Sequence, residues 1–82
     1  MTFDAILADV SRIIRDVLDV GDVDVTASTS ANDVPEWDSL THVELVVAIE
    51  KYFKIRFASD EIRRFKNVGE MCASIEKRLQ TA

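Results

Sequence analysis

Eighty-two residues, 48% of them apolar and 30% charged, are expected to make one small domain over 1–82: too apolar to stay disordered and too short for a second core. The net charge of −5 excludes the dominant basic surface that a general nucleic-acid binder needs, and no apolar run is long enough to span a membrane. Cys72 is the single cysteine; it can form no internal disulfide and points to a reducing, cytoplasmic setting.

The chain starts Met1-Thr2-Phe3-Asp4, with no basic region followed by an apolar stretch, so no secretory leader is expected. Phe3, Ile6, Leu7, Val10, Ile13, Ile14, Val17 and Leu18 recur at three- and four-residue steps. That stripe predicts a helix over about 3–18 with one buried face, capped by Thr2 and followed by Gly21 as the left-handed residue beyond its end. Residues 19–38 read as a long loop rich in turn formers, Asp19, Asp22, Asp24, Asn32, Asp33 and Pro35 among them. Val20, Val23 and Val25 are expected to fasten it to the core, and Val34, before Pro35, to be extended. So long a loop in so small a domain is often functional.

The loop delivers the chain to Trp37-Asp38-Ser39-Leu40, where an apolar helix predicted over about 39–53 begins. A serine there has its hydroxyl beside the unpaired N–H groups of a first helical turn, where a negative group is favoured. Ser39 therefore suits either a plain cap or a covalently attached phosphate. Leu45, Val46, Ile49 and Phe53 can face the core. Leu40, Val43 and Val47 fall on a second stripe, which leaves two placements open for Val43 and Val47: a surface that meets partners, or packing under the loop. Ile55 and Phe57 lie in a short link. Ser59 is the expected cap of a short helix over about 60–65, with Asp60 and Glu61 in its first turn. Asn67 and Glu70 have capping-box spacing for a last helix over about 68–79, with Val68, Met71, Cys72, Ile75 and Leu79 as its stripe. The fold class expected is all-α, a bundle of three main helices and a short third one.

These residues resemble the acyl carrier protein family. Asp38-Ser39-Leu40, Val43-Glu44-Leu45-Val46, Ala48, Glu50, Phe53, Phe57, Asp60-Glu61 and Val68-Gly69-Glu70 carry the likeness, which covers nearly the whole chain. The resemblance implies an acyl-carrier-like four-helix bundle with a long first loop. It implies 4′-phosphopantetheine on Ser39, taken from coenzyme A by a phosphopantetheinyl transferase that needs Mg²⁺, with Asp38 as part of the motif. The arm's thiol would hold acyl groups as thioesters, good donors for acyl transfer. The carrier itself would catalyse nothing. Its partners would be that transferase, an acyl-loading ligase or acyltransferase and downstream biosynthetic enzymes. A monomer is expected. The partner face would comprise Leu40, Val43, Glu44, Val47 and Glu50, with Trp37 either packed across the loop or joining that face. An aminoacyl or peptidyl carrier loaded by an adenylating ligase, and a helical interaction module with no prosthetic group, are the alternatives.

The pattern departs from the fatty-acid carriers of the family in two respects. Glu36-Trp37 stand where a small pair such as Gly-Ala is usual, a form more like stand-alone carriers of specialised pathways. Charge is also distributed differently. Residues 1–38 hold nine acids and two bases, whereas 39–82 hold six acids and eight bases. Lys51, Lys54, Arg56, Arg63, Arg64 and Lys66 follow the serine. Since charge sets partner choice, a dedicated partner set in a fatty-acid- or polyketide-like pathway is expected. Three other constellations carry little. Asp38, Ser39 and His42 lack the elbow and oxyanion loop of a hydrolase, and His42 is expected as a surface residue. Asp19, Asp22 and Asp24 lack the pattern of a calcium loop, so no metal site is expected. Cys72 should pack inside, unreactive.

Overall fold

The computed structural model describes residues 2–81; Met1, which opens the stretch expected not to be a leader, and Ala82 lie outside them. Helix α1 spans Phe3–Leu18, α2 Ser39–Phe53, α3 Ser59–Arg64 and α4 Val68–Thr81. A single 3₁₀ turn, Ala31–Asp33, which the sequence did not signal, interrupts the long loop. No strand occurs among the described residues.

The stripe of α1 closes the core. Ile6, Val10 and Ile14 are fully buried against Leu45 and Ile49 of α2 and Val68, Met71 and Ile75 of α4, and α1 packs on both of those helices. Each such side chain withdrawn from water contributes about 1.5–3 kcal/mol before the entropy of ordering is set against it. Thr2 caps α1 as expected, its hydroxyl accepting the Ala5 N–H.

The end of α1 differs from expectation. The left-handed residue is Asp19, at φ 55°, and Gly21 does not have positive φ. Val20 N–H reaches back to the Arg15 carbonyl at 3.0 Å, which completes a Schellman closure and buries Val20. Helix α2 ends the same way: Lys54 is left-handed at φ 59° and Ile55 N–H returns to the Glu50 carbonyl at 3.0 Å.

The loop is held by more than the expected valines. Val20 and Val25 are buried and Val23 packs at the core's edge, but Val34 and Trp37 are also buried. Val34 is extended before Pro35, as its position requires. The Ser11 hydroxyl donates to the Val25 carbonyl, and the loop also ties itself to α4. Val68 N–H donates to the Thr29 carbonyl at 2.9 Å and Gly69 N–H to the Ala27 carbonyl at 2.7 Å, so loop oxygens serve donors that a helix start leaves unpaired. Gly69 is needed for that approach, since a Cβ there would lie 2.9 Å from the Ala27 carbonyl oxygen.

Two further caps are corrected. Helix α3 begins at Ser59, not 60, with Ala58 in the cap position; Ala58 N–H donates to the Glu61 carboxylate at 3.2 Å. At α4, Asn67 Oδ1 accepts the Glu70 N–H at 2.9 Å, but Glu70 reaches back one residue farther than a capping box would, to the Lys66 N–H at 3.2 Å. Glu61 also anchors the far side of the bundle. Its carboxylate accepts from both terminal nitrogens of Arg78 and from the Ser74 hydroxyl. Arg78 Nε donates to the Arg56 carbonyl at 2.7 Å, and its guanidinium lies over the Phe57 ring. The Arg78 donors hold the Glu61 carboxyl at about 2, with Ser74 adding to them against the opposing effect of burial.

Candidate functional site at the start of helix α2

The decisive geometry is at Asp38, Ser39 and Thr41. Asp38 is the N-cap of α2: one carboxylate oxygen accepts the Leu40 N–H at 3.0 Å and the Thr41 N–H at 2.9 Å. Thr41 returns the favour, its hydroxyl accepting the Asp38 N–H at 2.8 Å while donating to the Glu36 carbonyl at 2.9 Å. These bonds, the Thr41 N–H first, hold the Asp38 carboxyl below its usual value. From the sequence Asp38 is a residue that can cap α2 itself, and the structure gives it that role; the answering bond from Thr41 is the part the sequence did not indicate.

With capping assigned to Asp38, Ser39 is left without a structural task. It is the first residue of α2, it is exposed, and its hydroxyl makes no hydrogen bond among the described residues. The expected reason for an anion at this point needs correcting in one respect. The Leu40 and Thr41 N–H groups are not free to meet a phosphate, because Asp38 fills them. What remains to favour a negative group on Ser39 is the aligned dipole of α2.

Beside Ser39 lies a cleft of about 420 Å³, walled by Trp37, His42, Val43, Ile62 and Phe65. Trp37 belongs to this wall and not to the exposed face: it is 7% exposed, its ring stacked on His42 with centroids 6.0 Å apart. The reason is a hydrogen bond that the sequence did not reveal. Trp37 Nε1–H donates to His42 Nδ1 at 3.1 Å, and His42 Nε2 lies 3.2 Å from the Ile62 carbonyl. An indole nitrogen only donates, so Nδ1 is the acceptor and Nε2 carries the proton that goes to Ile62. His42 is therefore half-buried and bridges the loop, α2 and α3, in contrast to the surface role expected of it. Both ring nitrogens are engaged, so neither is left to take the Ser39 proton.

Along α2, Leu40 is 71% exposed, Val43 58% and Val47 42%, and Glu44 is exposed with them. The open question about Val43 and Val47 is thus answered in favour of solvent. Spacings of three and four residues put these side chains on one face. Glu50 is only half-exposed, because its carboxylate accepts the Phe57 N–H at 2.8 Å and fastens the link after α2. Cys72 is fully buried on α4, and burial pushes its thiol up to about 12, well away from nucleophilic reactivity. Among the described residues no three His, Cys, Asp or Glu side chains gather as a metal site, and no helix is long and apolar enough to cross a membrane.

Comparison with known proteins gives this geometry its context. Residues 8–75 match the family described as the phosphopantetheine attachment site. An acyl carrier protein of Acidothermus cellulolyticus is 38% identical over 65 residues, 79% of this chain and 77% of that one. The solution structure of a holo acyl carrier protein from Geobacter metallireducens superimposes with a TM-score of 0.82 at 40% identity, covering 98% of this chain and 87% of that one.

The chain belongs to the acyl carrier protein family.

Its four helices are the acyl carrier fold, and its prosthetic group is 4′-phosphopantetheine. Proteins of this family carry acyl groups for enzymes and do not themselves catalyse. A more distant relative, a meromycolate extension acyl carrier protein of Mycobacterium tuberculosis, is 27% identical over 77 residues, 94% of this chain and 67% of that one.

Proposed function

We propose that Ser39 is the attachment residue of this acyl carrier protein, and that residues 1–82 act as one carrier domain in a specialised fatty-acid- or polyketide-like pathway. The observation that carries the assignment is the division of labour between neighbours: Asp38 makes both cap bonds, and the adjacent hydroxyl is exposed and unbonded. A phosphopantetheinyl transferase can reach that oxygen without dismantling any hydrogen bond. When bound, the prosthetic group supplies a thiol that holds the acyl group as a thioester. The chain's own residues do the rest. Asp38 and Thr41 fix the start of α2 so that Ser39 points from a rigid turn. The bridge from Trp37 through His42 to Ile62 forms one wall of the cleft beside it, which Arg63 and Lys66 also line. Leu40, Val43, Glu44 and Val47 form the face that meets partners: the transferase, an acyl-loading ligase or acyltransferase and the enzymes that use the cargo.

The pathway reading rests on Trp37 preceding the motif and on the basic residues after it. A partner set chosen by charge complementarity would differ from that of a carrier with an acidic second helix. The relative named for meromycolate extension is consistent with a role outside primary synthesis.

Intact-mass measurement tests the attachment. Incubation with coenzyme A, Mg²⁺ and a broad transferase is expected to add the mass of the arm to the wild type and nothing to Ser39→Ala. An unchanged wild-type mass, or undiminished labelling of the variant, overturns the assignment. Loading the holo form with fatty acyl, malonyl-type and amino acids in turn then separates an acyl carrier from an aminoacyl carrier.

A further inference from the structure

The cations differ in what they touch: Arg15, Arg63 and Lys66 make no ion pair among the described residues, the last two lining the cleft beside Ser39, and a second unpaired group gathers at the far end of α2. Arg12 pairs with Asp9 at 3.5 Å and lies over the Tyr52 ring, Arg64 pairs with Asp60 at 3.2 Å, and Arg78 is bound to Glu61. Lys51, Lys54 and Arg56 are exposed and make no ion pair among the described residues. All three wall one groove of about 480 Å³, together with Val47, Ile55 and Glu50. Glu50 makes no ion pair with them, its carboxylate accepting the Phe57 N–H at 2.8 Å, so one anion stands against three cations and the groove stays net positive. The cations outnumber the single carboxylate around an apolar floor, made by Val47 at 42% exposure and the half-buried Ile55. The negative end of the α2 dipole tolerates cations here but cannot pair them.

The groove continues the α2 face. Val47 belongs to both, and Glu44 stands one turn before it and two turns before Lys51. From Ser39 outward the face is thus apolar, then acidic at Glu44, then basic. A partner that covered only the apolar residues would leave the three cations desolvated and unpaired, at a penalty; a partner with carboxylates at that end would satisfy them.

We propose that this groove docks an acidic protein surface: an apolar side chain of the partner seats on Val47 and Ile55, and Asp or Glu carboxylates meet Lys51, Lys54 and Arg56. This rests on the reading of the α2 face as the partner face, and it specifies the partner's charge.

The probes are two short synthetic helical peptides with the same leucine positions, one carrying glutamates and the other lysines on its polar face, titrated into isotope-labelled holo protein and followed by amide chemical shifts. The Glu peptide is expected to shift amides over 47–56 saturably, more weakly in high salt, and with an affinity at least about tenfold lower for Lys51→Glu/Lys54→Glu/Arg56→Glu. Lys51→Glu alone, on an exposed helical position, repeats the test should the triple variant lose its helical circular dichroism; a clear weakening is expected. Preference for the Lys peptide, shifts spread evenly over all cationic regions, or binding indifferent to charge reversal in the folded variants overturns the proposal. Tighter, equally charge-dependent binding to anionic lipid vesicles than to the Glu peptide overturns it too, in favour of a membrane surface. Failure of the underlying attachment reading is distinguishable: the wild-type mass would lack the arm while the Glu peptide still bound the groove.

Discussion

The α1–α4 side of the bundle and the α2 side are made from the same kinds of apolar residue and use them in opposite ways. On α1, Ile6, Val10 and Ile14 are fully buried; on α2, Leu40, Val43 and Val47 stand in water while Leu45 and Ile49 behind them are fully buried. Helix α3 has no buried residue and is held through its middle, by Glu61 to Arg78 and by the Ile62 carbonyl to His42. One side of the molecule supplies stability, and the other holds part of its apolar surface out of the core so that it can be covered by something else. A chain so short has little stability to spare, which makes the uncovered side the informative one.

The comparison can be broken most directly in the core. Ile14→Ala is expected to lower unfolding free energy by about 2–5 kcal/mol in a denaturant titration, through lost burial and a cavity the packed helices cannot close. A loss no greater than that of a surface substitution would mean that α1 is not the main store of stability.

The next effect lies at the junction of the two sides. Arg78→Ala leaves the Glu61 carboxylate without its charged partner and is expected to cost about 1–3 kcal/mol near neutral pH. Glu61 is held at about 2 against an ordinary 4.5. Its contribution is therefore complete above about 4.5 and is lost as pH falls toward 2. The difference between wild type and Arg78→Ala should shrink across that window in thermal melts. A gap that stayed constant down to the lower limit would remove Glu61 as the cause.

A smaller effect divides two neighbours. Asp38→Ala removes the cap of α2 and is expected to lower the melting temperature measurably. Ser39→Ala removes a hydroxyl without a bond and should stay within about 0.5 kcal/mol while abolishing the mass gain. Equal destabilisation by the two would return Ser39 to a structural role.

The smallest expected change is at Leu40. Leu40→Ser should leave the melting transition within about 0.5 kcal/mol of wild type, yet weaken capture by enzymes that use the α2 face, read as a rise in KM for the holo carrier. A marked loss of stability would mean that Leu40 is part of the core.

Much of this architecture was legible along the chain. The stripe from Phe3 to Leu18 and the run from Ser39 to Phe53 delimit α1 and α2 as observed, α1 because one apolar stripe writes its period into the sequence and α2 because its apolar run has no Gly or Pro to break it. Helix α3 was displaced by one residue, since Ala58 at its cap leaves no side-chain signal. Helix α4 runs to Thr81, two residues past expectation. Gly21 misled because Asp19 takes the left-handed turn first, and Trp37 proved an inward residue because its indole finds His42.

Within the site, sequence alone determined what is local: a serine at a helix start, an acid before it and a threonine three residues on, each within reach through the backbone of a single turn. Tertiary structure decided the rest. Whether Val43 and Val47 meet water depended on where α1 and the loop come to lie, and the task of His42 depended on Trp37 five residues before it and Ile62 twenty residues after it. That Lys51, Lys54 and Arg56 stand around one groove depended on how the link after α2 folds back, fastened by the Phe57 N–H on Glu50. Helical periodicity is a property of neighbours along a chain, whereas exposure and pairing are properties of what folding brings beside them.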